Sequence, residues 1–350
     1  MQKSVLIAMS GGIDSSVAAY ILKEQGYKVT GVNFWFFGDE KPHKELEQFC
    51  TKTGLELIFY DARELFHEEV IGYFNSYHLK GLTPSPCAHC NPNVKWKLLT
   101  DIADKYGIDH IATGHYIRIV KKGGTARIFK GSDMKKDQSY FLWNLDQDVL
   151  TRAITPLGEY LKADIKKIAK RLGFDFLNKN KESSGLCFAA GRSCSDMLMD
   201  YIPDIKDKIP KGNVLDRKGN IVGTHKGYIY YTIGQKRDLN LLTDKKLCVV
   251  EIDAGNNILI ADTWQSLYIK EFVAGDTSFI NPQALGTSKE IQTMVRGFGL
   301  NPSGNCTIET NGGLLKVKLD EPAWAVAPGQ PVVFYNEDEL LGGGIVKSKR

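Results

Sequence analysis

Two stretches of this sequence carry residue types that do chemistry. In Ser10-Gly11-Gly12-Ile13-Asp14-Ser15-Ser16, adjacent glycines stand among hydroxyls and a carboxylate. Glycines let the backbone close on an anion, successive turn N–H groups form a nest, and a following helix adds the positive end of its dipole. Phosphate suits such a loop. A Walker loop would place a lysine on the terminal phosphates, but here Asp14 and Ser15 stand where that lysine is needed, so this loop is of another kind. The second stretch is Cys87-Ala88-His89-Cys90, whose thiols could attack an electrophile or be attacked.

The elements that must position these residues alternate. Val5-Leu6-Ile7-Ala8-Met9 reads as a strand feeding the glycine turn, and Ser15 to Gln25 as a helix stopped by Gly26. Lys28 to Phe34 reads as strand, Lys44 to Thr53 as helix, Leu55 to Tyr60 as strand and Arg63 to His78 as helix. This order predicts an α/β fold with a doubly wound parallel sheet and ligands at the carboxyl ends of its strands. Gly81 to Pro92 is proline-rich and reads as a loop without regular structure, with a helix resuming over Asn93 to Tyr106. Cys90 would then sit just before a helix, where the dipole favours the thiolate. Asp109 to Tyr116 reads as a buried strand, Ile117–Val120 and Ala126–Phe129 as a hairpin with a basic rim, and Lys162 to Leu172 as a helix. From about Lys211 short alternating runs separated by Lys218-Gly219-Asn220 and Gly255-Asn256-Asn257 predict a mostly β half that closes in a small barrel.

Composition narrows the class. A chain of 350 residues with 43% hydrophobic and 25% charged residues is ordinary for a globular protein of two or three domains. The formal charge of +4 does not by itself announce a nucleic-acid partner. Its distribution says more: seven basic residues against Asp133 alone lie between Arg118 and Lys136, and thirteen against eight acids between Leu161 and Asn220. Seven cysteines in a chain of this size do not resemble a secreted disulfide framework, and no apolar stretch approaches a membrane span. The expected location is the cytoplasm, with no membrane partner.

The loop resembles that of the PP-loop ATP pyrophosphatase superfamily, whose members split ATP between the α and β phosphates. The plain alternative is a glycine turn with Ser15 or Asp14 as the helix N-cap. Further motifs stand in order along the chain: T-P-S-P-C-A-H-C-N, A-T-G-H-Y, K-D-Q-S-Y-F-L, S-S-G-L-C-F, Y-T-I-G-Q-K-R, A-P-G-Q-P-V-V-F-Y and a terminal L-G-G-G-I. Together they resemble the tRNA-specific 2-thiouridylase (MnmA) family over nearly the whole chain. The resemblance implies conversion of the wobble uridine of lysine, glutamate and glutamine tRNAs to 2-thiouridine, with ATP and Mg2+ and with sulfur relayed from a cysteine desulfurase through carrier proteins. It implies a PP-loop domain over residues 1–205 with a tRNA-contacting segment near 115–160, a small β-rich domain over 206–275, and a tRNA-binding β-barrel over 276–350.

By the same resemblance Cys90 would be the nucleophile and Cys187 the persulfide carrier. ATP would lie on Ala8, Met9, Ser10, Gly11, Gly12, Ile13, Asp14 and Ser15, with Phe34 and Gly114 at the adenosine. Ser85, Pro86 and Cys87 with Lys136, Asp137 and Gln138 would approach the flipped base. His115 would face the tRNA, and Arg296 and Gln330 would contact the anticodon stem. The family pattern has an aspartate, a candidate general base, where this chain has Cys87. Cys87, Cys90 and Cys187 could instead hold a 4Fe-4S cluster with one iron open to hydrosulfide; zinc is the blander metal reading. Two other functions fit the loop: a PP-loop ligase that adenylates a small molecule, and an RNA-binding protein without turnover.

Overall fold

The computed structural model describes residues 2–38, 44–174, 185–189, 191–287, 290–297 and 299–349. Ser183 and Ser184 of the S-S-G-L-C-F motif, and residues 39–43, lie outside the described residues.

Strands β1 (Ser4–Ala8), β2 (Lys28–Trp35), β3 (Glu56–Asp61) and β4 (His110–Ala112) are followed by β5 (Ile117–Lys122), β6 (Thr125–Lys130) and β7 (Ala153–Ile154). The first sheet runs β3-β2-β1-β4-β7, and all its pairs are parallel. Val5, Leu6 and Ile7 of β1 are fully buried, as a central strand with helices on both faces requires. Strand order reverses at β1, so the glycine loop leaving β1 sits at the topological switch point, where open α/β sheets bind ligands. Among the described residues, no helix is long and apolar enough to cross a membrane.

β8 (Gly212–Leu215), β9 (Ile221–His225), β10 (Asn240–Leu241), β11 (Leu247–Asp253) and β12 (Ile258–Thr263) form a second sheet. The third is built from β13 (Tyr268–Phe279), β14 (Gln292–Met294), β15 (Cys306–Asn311), β16 (Leu314–Trp324), β17 (Pro331–Asn336) and β18 (Glu339–Lys349). The expected boundary at 275/276 falls inside β13, which pairs with β16 and β18, so the C-terminal unit begins earlier. The boundary at 205/206 falls inside the short helix Ile205–Lys208. Met197 and Leu198, before that boundary, share a core with Val214, Leu247 and Val249 of the middle sheet.

β6 of the basic-rimmed β5–β6 hairpin pairs with β18, making the hairpin part of the C-terminal sheet. Arg118 pairs with Asp338, Arg127 lies 3.3 Å from Glu339, and Lys130 Nζ donates to the Glu337 carbonyl at 3.1 Å. Three of the seven basic residues of that stretch are thus engaged by one acidic turn.

Candidate active site

The phosphate loop is held by its own hydroxyls. Met9 N–H donates to Val32 O at 2.8 Å and Asn33 Nδ2 donates to Met9 O at 2.7 Å, fixing the chain as it leaves β1. Ser15 Oγ accepts from Ser10 N–H at 3.2 Å and donates to Gly12 O at 3.2 Å. Gly11 takes a φ of +79°, which favours glycine. Gly12 precedes the helix Ile13–Glu24 with no side-chain cap, so neither Ser15 nor Asp14 is the helix cap. The first-turn N–H groups of such a helix have no intrahelical partner and face an anion without competition.

Asp14 does other work. Its carboxylate accepts from Tyr116 Oη at 2.7 Å and from Lys162 Nζ at 2.6 Å on both oxygens. Lys162 is 9% exposed and opens the helix Lys162–Arg171. This cation, delivered from far along the chain, stands at the loop that lacks a Walker lysine. Neither Lys162 nor Tyr116 was singled out from the sequence. The signal was present: a lysine at a helix N-terminus opposes the dipole and calls for a bound anion.

Gly114 closes the loop from the other side. A Cβ there would come within 3.1 Å of Ser15 N and 3.2 Å of the Asp14 carbonyl carbon, so it packs on the loop backbone. Phe34, at the end of β2, packs edge-on against Tyr60 with ring centroids 6.4 Å apart. His115 follows Gly114 but is only 8% exposed, so its side chain does not present the expected tRNA face. Its Nδ1 lies 2.7 Å from Thr113 Oγ1, its ring stacks on Trp96, and burial holds its pKa well below the usual range, leaving it neutral.

The cysteine loop is more regular than its prolines suggested. A helix begins at Pro86, a favoured first position, and runs through Cys90. Pro92 has no N–H to return to the ladder, and Asn91–Trp96 widens into a π-helical segment before Lys97–Lys105 resumes α-helix. Cys90 therefore lies inside a helix rather than before one. Burial pushes its thiol up to about 12, with Lys95 opposing and Cys187 and Cys87 adding to the rise. The Cys87 thiol is likewise raised by burial, so it is a protonated thiol and not the general base that an aspartate would supply. Cys187 is exposed, yet its thiol is also raised, first by desolvation and then by Cys87. The structure thus brings the three sulfurs into one electrostatic neighbourhood. Among the described residues, no three His, Cys, Asp or Glu side chains are placed to share a single metal ion.

Both β units touch the approach to Pro86. Tyr228 Oη donates to Leu79 O at 2.7 Å, and a Cβ on Gly81 would lie 2.9 Å from Ile252 Cγ2. Thr83 N–H donates to Pro328 O at 2.9 Å, and Gly329, at φ +95°, would place a Cβ 2.9 Å from Leu82 Cβ. Half-buried Gln330 follows that turn. Ser85 N–H donates to Tyr73 Oη at 3.3 Å.

Asp137 and Gln138 brace rather than project. Asp137 accepts from Gly131 N–H at 2.9 Å and Ser139 Oγ at 2.7 Å, and Gln138 Oε1 accepts from Tyr116 N–H at 3.0 Å. Lys136 is half-buried beside them. Arg296 is also half-buried: its guanidinium lies 4.9 Å from the Trp324 ring centroid and donates to Ala325 O at 2.8 Å.

A parallel sheet with a glycine phosphate loop at its switch point, followed by two β units that grip a thiol-bearing helix, defines a nucleotide-binding enzyme of the PP-loop class. Family profiles agree: "tRNA methyl transferase HUP domain" matches residues 3–191, "tRNA methyl transferase PRC-barrel domain" 195–262, and "Aminomethyltransferase beta-barrel domain" 269–346. The chain belongs to the MnmA tRNA-specific 2-thiouridylase family. It is 38% identical to tRNA-specific 2-thiouridylase MnmA 1 of Clostridium botulinum (strain Hall) over 99% of this chain and 100% of that one. It is 37% identical to the MnmA of Clostridium acetobutylicum, again over 99% and 100%. To MnmA 2 of Clostridium tetani it is also 37% identical, over 99% of each chain.

Proposed function

We propose that the protein converts the wobble uridine of lysine, glutamate and glutamine tRNAs to 2-thiouridine, with sulfur delivered by a carrier charged by a cysteine desulfurase. The observation that carries this reading is adjacency. Gly114 packs on the phosphate loop, while His115, the next residue, stacks on Trp96 of the Asn91–Trp96 segment that continues from Cys90, so the loop and the thiol helix adjoin.

The uridine O2 attacks the α-phosphorus of ATP, pyrophosphate leaves with the electron pair, and the N3 proton passes to solvent. The loop N–H groups and Lys162 hold the phosphates, with Mg2+ accompanying them; Asp14 exchanges Lys162 for ligand as the nucleotide enters. The terminal sulfur of a Cys187 persulfide then attacks C2, and the C2–O bond breaks as AMP departs. Cys90, giving its proton to solvent as it reacts, attacks Cys187 Sγ, the S–S bond breaks toward C2 to leave the thiocarbonyl, and the resulting Cys90–Cys187 disulfide is reduced by an external dithiol. The step needs no iron.

Uridine labelled with 18O at C2 tests the first half directly. The label is expected in AMP, with pyrophosphate release dependent on tRNA. Pyrophosphate release driven by a small amine or acid in the absence of tRNA would favour the ligase reading instead, and tRNA binding with no turnover the binding protein.

A further inference from the structure

Cys187 is exposed, but the residue after it is not. Cys187 opens the short 3-10 turn Cys187–Ala189, and Phe188, 5% exposed, anchors that turn in the core. The Phe188 ring stands edge-on to Phe66, with centroids 5.9 Å apart, and edge-on to Phe74 at 5.6 Å. Contacts of this kind hold an orientation as well as bury area. Phe66 closes the helix Arg63–Phe66 that follows β3, and its ring also meets Phe36, with centroids 4.8 Å apart. Phe36 is the first residue past β2, the strand whose Val32 O and Asn33 Nδ2 hold Met9 of the phosphate loop at 2.8 and 2.7 Å. The end of that strand is pinned. Phe34 lies 5.7 Å from the Phe36 ring, Ala62 N–H donates to Trp35 O at 3.0 Å, and Trp35 Nε1 donates to Phe37 O at 3.0 Å. The Arg63 guanidinium, paired with Asp61 at 2.7 Å, lies 3.6 Å from the Trp35 ring centroid. Ring contacts thus run unbroken from the strand that holds the phosphate loop to the turn that bears Cys187.

We propose that Phe36 is a positioning residue of the sulfur-transfer half-reaction: through Phe66 and Phe188 it sets where Cys187 stands relative to the phosphate loop, and so relative to the adenylated uridine. Sulfur on Cys187 must meet C2 while the adenylate still lies on the loop, and a displacement of about 1 Å costs on the order of 100-fold in rate. An aliphatic side chain at position 36 would bury apolar area without the ring's fixed tilt against Phe66. Shape, not hydrophobicity alone, is what the position requires. The role rests on the thiolation reading above.

The test compares the full-length wild type with Phe36→Leu and Phe36→Tyr in single turnover with unmodified tRNA, ATP, Mg2+, a dithiol and enzyme preloaded as the Cys187 persulfide. Pyrophosphate and 2-thiouridine are both quantified. The ratio of thiouridine to pyrophosphate should fall about tenfold in Phe36→Leu and return to within about twofold of wild type in Phe36→Tyr, which keeps the ring. In the free enzyme, alkylation of Cys187 by iodoacetamide, read by peptide mass spectrometry, should quicken at least about threefold in Phe36→Leu as the turn loosens, with Phe36→Tyr and the alkylation of Cys90 unchanged. An unchanged ratio in Phe36→Leu would overturn the proposal, as would an equal drop of both products in both variants, which marks a structural role. A wild type that releases pyrophosphate but forms no thiouridine would remove the thiolation reading itself. The alkylation rates then decide alone whether Phe36 positions Cys187, and equal rates in wild type and Phe36→Leu would show that it does not.

Discussion

Burial and helix polarity act in opposite directions on Cys90, and burial wins. The dipole's effect fades after the first turn, and the helix starts at Pro86, not after Cys90, so a thiol raised to about 12 is what desolvation leaves. In the free enzyme, iodoacetamide alkylation of Cys90, followed by peptide mass spectrometry, should keep rising through pH 10. A plateau just above the ordinary thiol value of 9.0 would contradict this. Lys162 makes a second prediction at this scale. Lys162→Met removes the cation paired with Asp14 and should lower tRNA-dependent pyrophosphate release on the order of 100-fold, checked by a coupled phosphate assay. The thiols and the loop hydroxyls were legible in the sequence because their types are rare and their spacing tight. Lys162 and Tyr116 were less so: a lysine opening a helix hinted at an anionic partner, but that the partner is Asp14 is set only by the folded chain.

At the scale of elements, alternation of strand and helix announced the parallel sheet and the loop at its centre. Two features were hidden. Proline reads locally as a helix breaker, yet Pro86 begins a helix and Pro92 only widens one. The hairpin's union with the C-terminal sheet was equally invisible, because strand pairing across 200 residues leaves no local pattern. The turn Ala327–Gln330 packs on the loop that leads into the cysteine helix. Gly329→Ala would strain a φ of +95° and press a methyl on Leu82, so it should displace that loop from a distance. Thiouridine formation should fall at least about tenfold while ATP affinity, read by equilibrium dialysis, stays within about twofold.

For the whole molecule, buried neutral groups set the range of pH over which three β-rich and α/β units stay together. His78, buried in the helix Gly72–Leu79 with its Nε2 3.4 Å from Cys194 Sγ, has its pKa lowered to about 4 by desolvation. A histidine kept neutral in the fold contributes stability above its unfolded value near 6.5, and that contribution is lost as pH falls toward 4. For His78 alone the loss amounts to about 3 kcal/mol. Cys50, Cys194 and Cys306, each raised by burial to about 11, act at the other end: their contribution is present below pH 9 and fades as pH rises toward 11. Thermal denaturation should show Tm falling on both flanks, and His78→Gln should flatten the acid flank. The composition shift near Lys211 marked the start of the β-rich half, where β8 opens at Gly212, but not the division within it, since β13 carries no break at 275/276. The central claim is tested most directly by nucleoside mass spectrometry of unmodified glutamate tRNA after anaerobic incubation with iron-free enzyme, ATP, Mg2+, a dithiol and a persulfide-charged carrier. The account predicts 2-thiouridine that disappears when ATP is omitted or when Cys187 or Cys90 is changed to serine. Product only after iron–sulfur reconstitution, or product that survives Cys187→Ser, would contradict it.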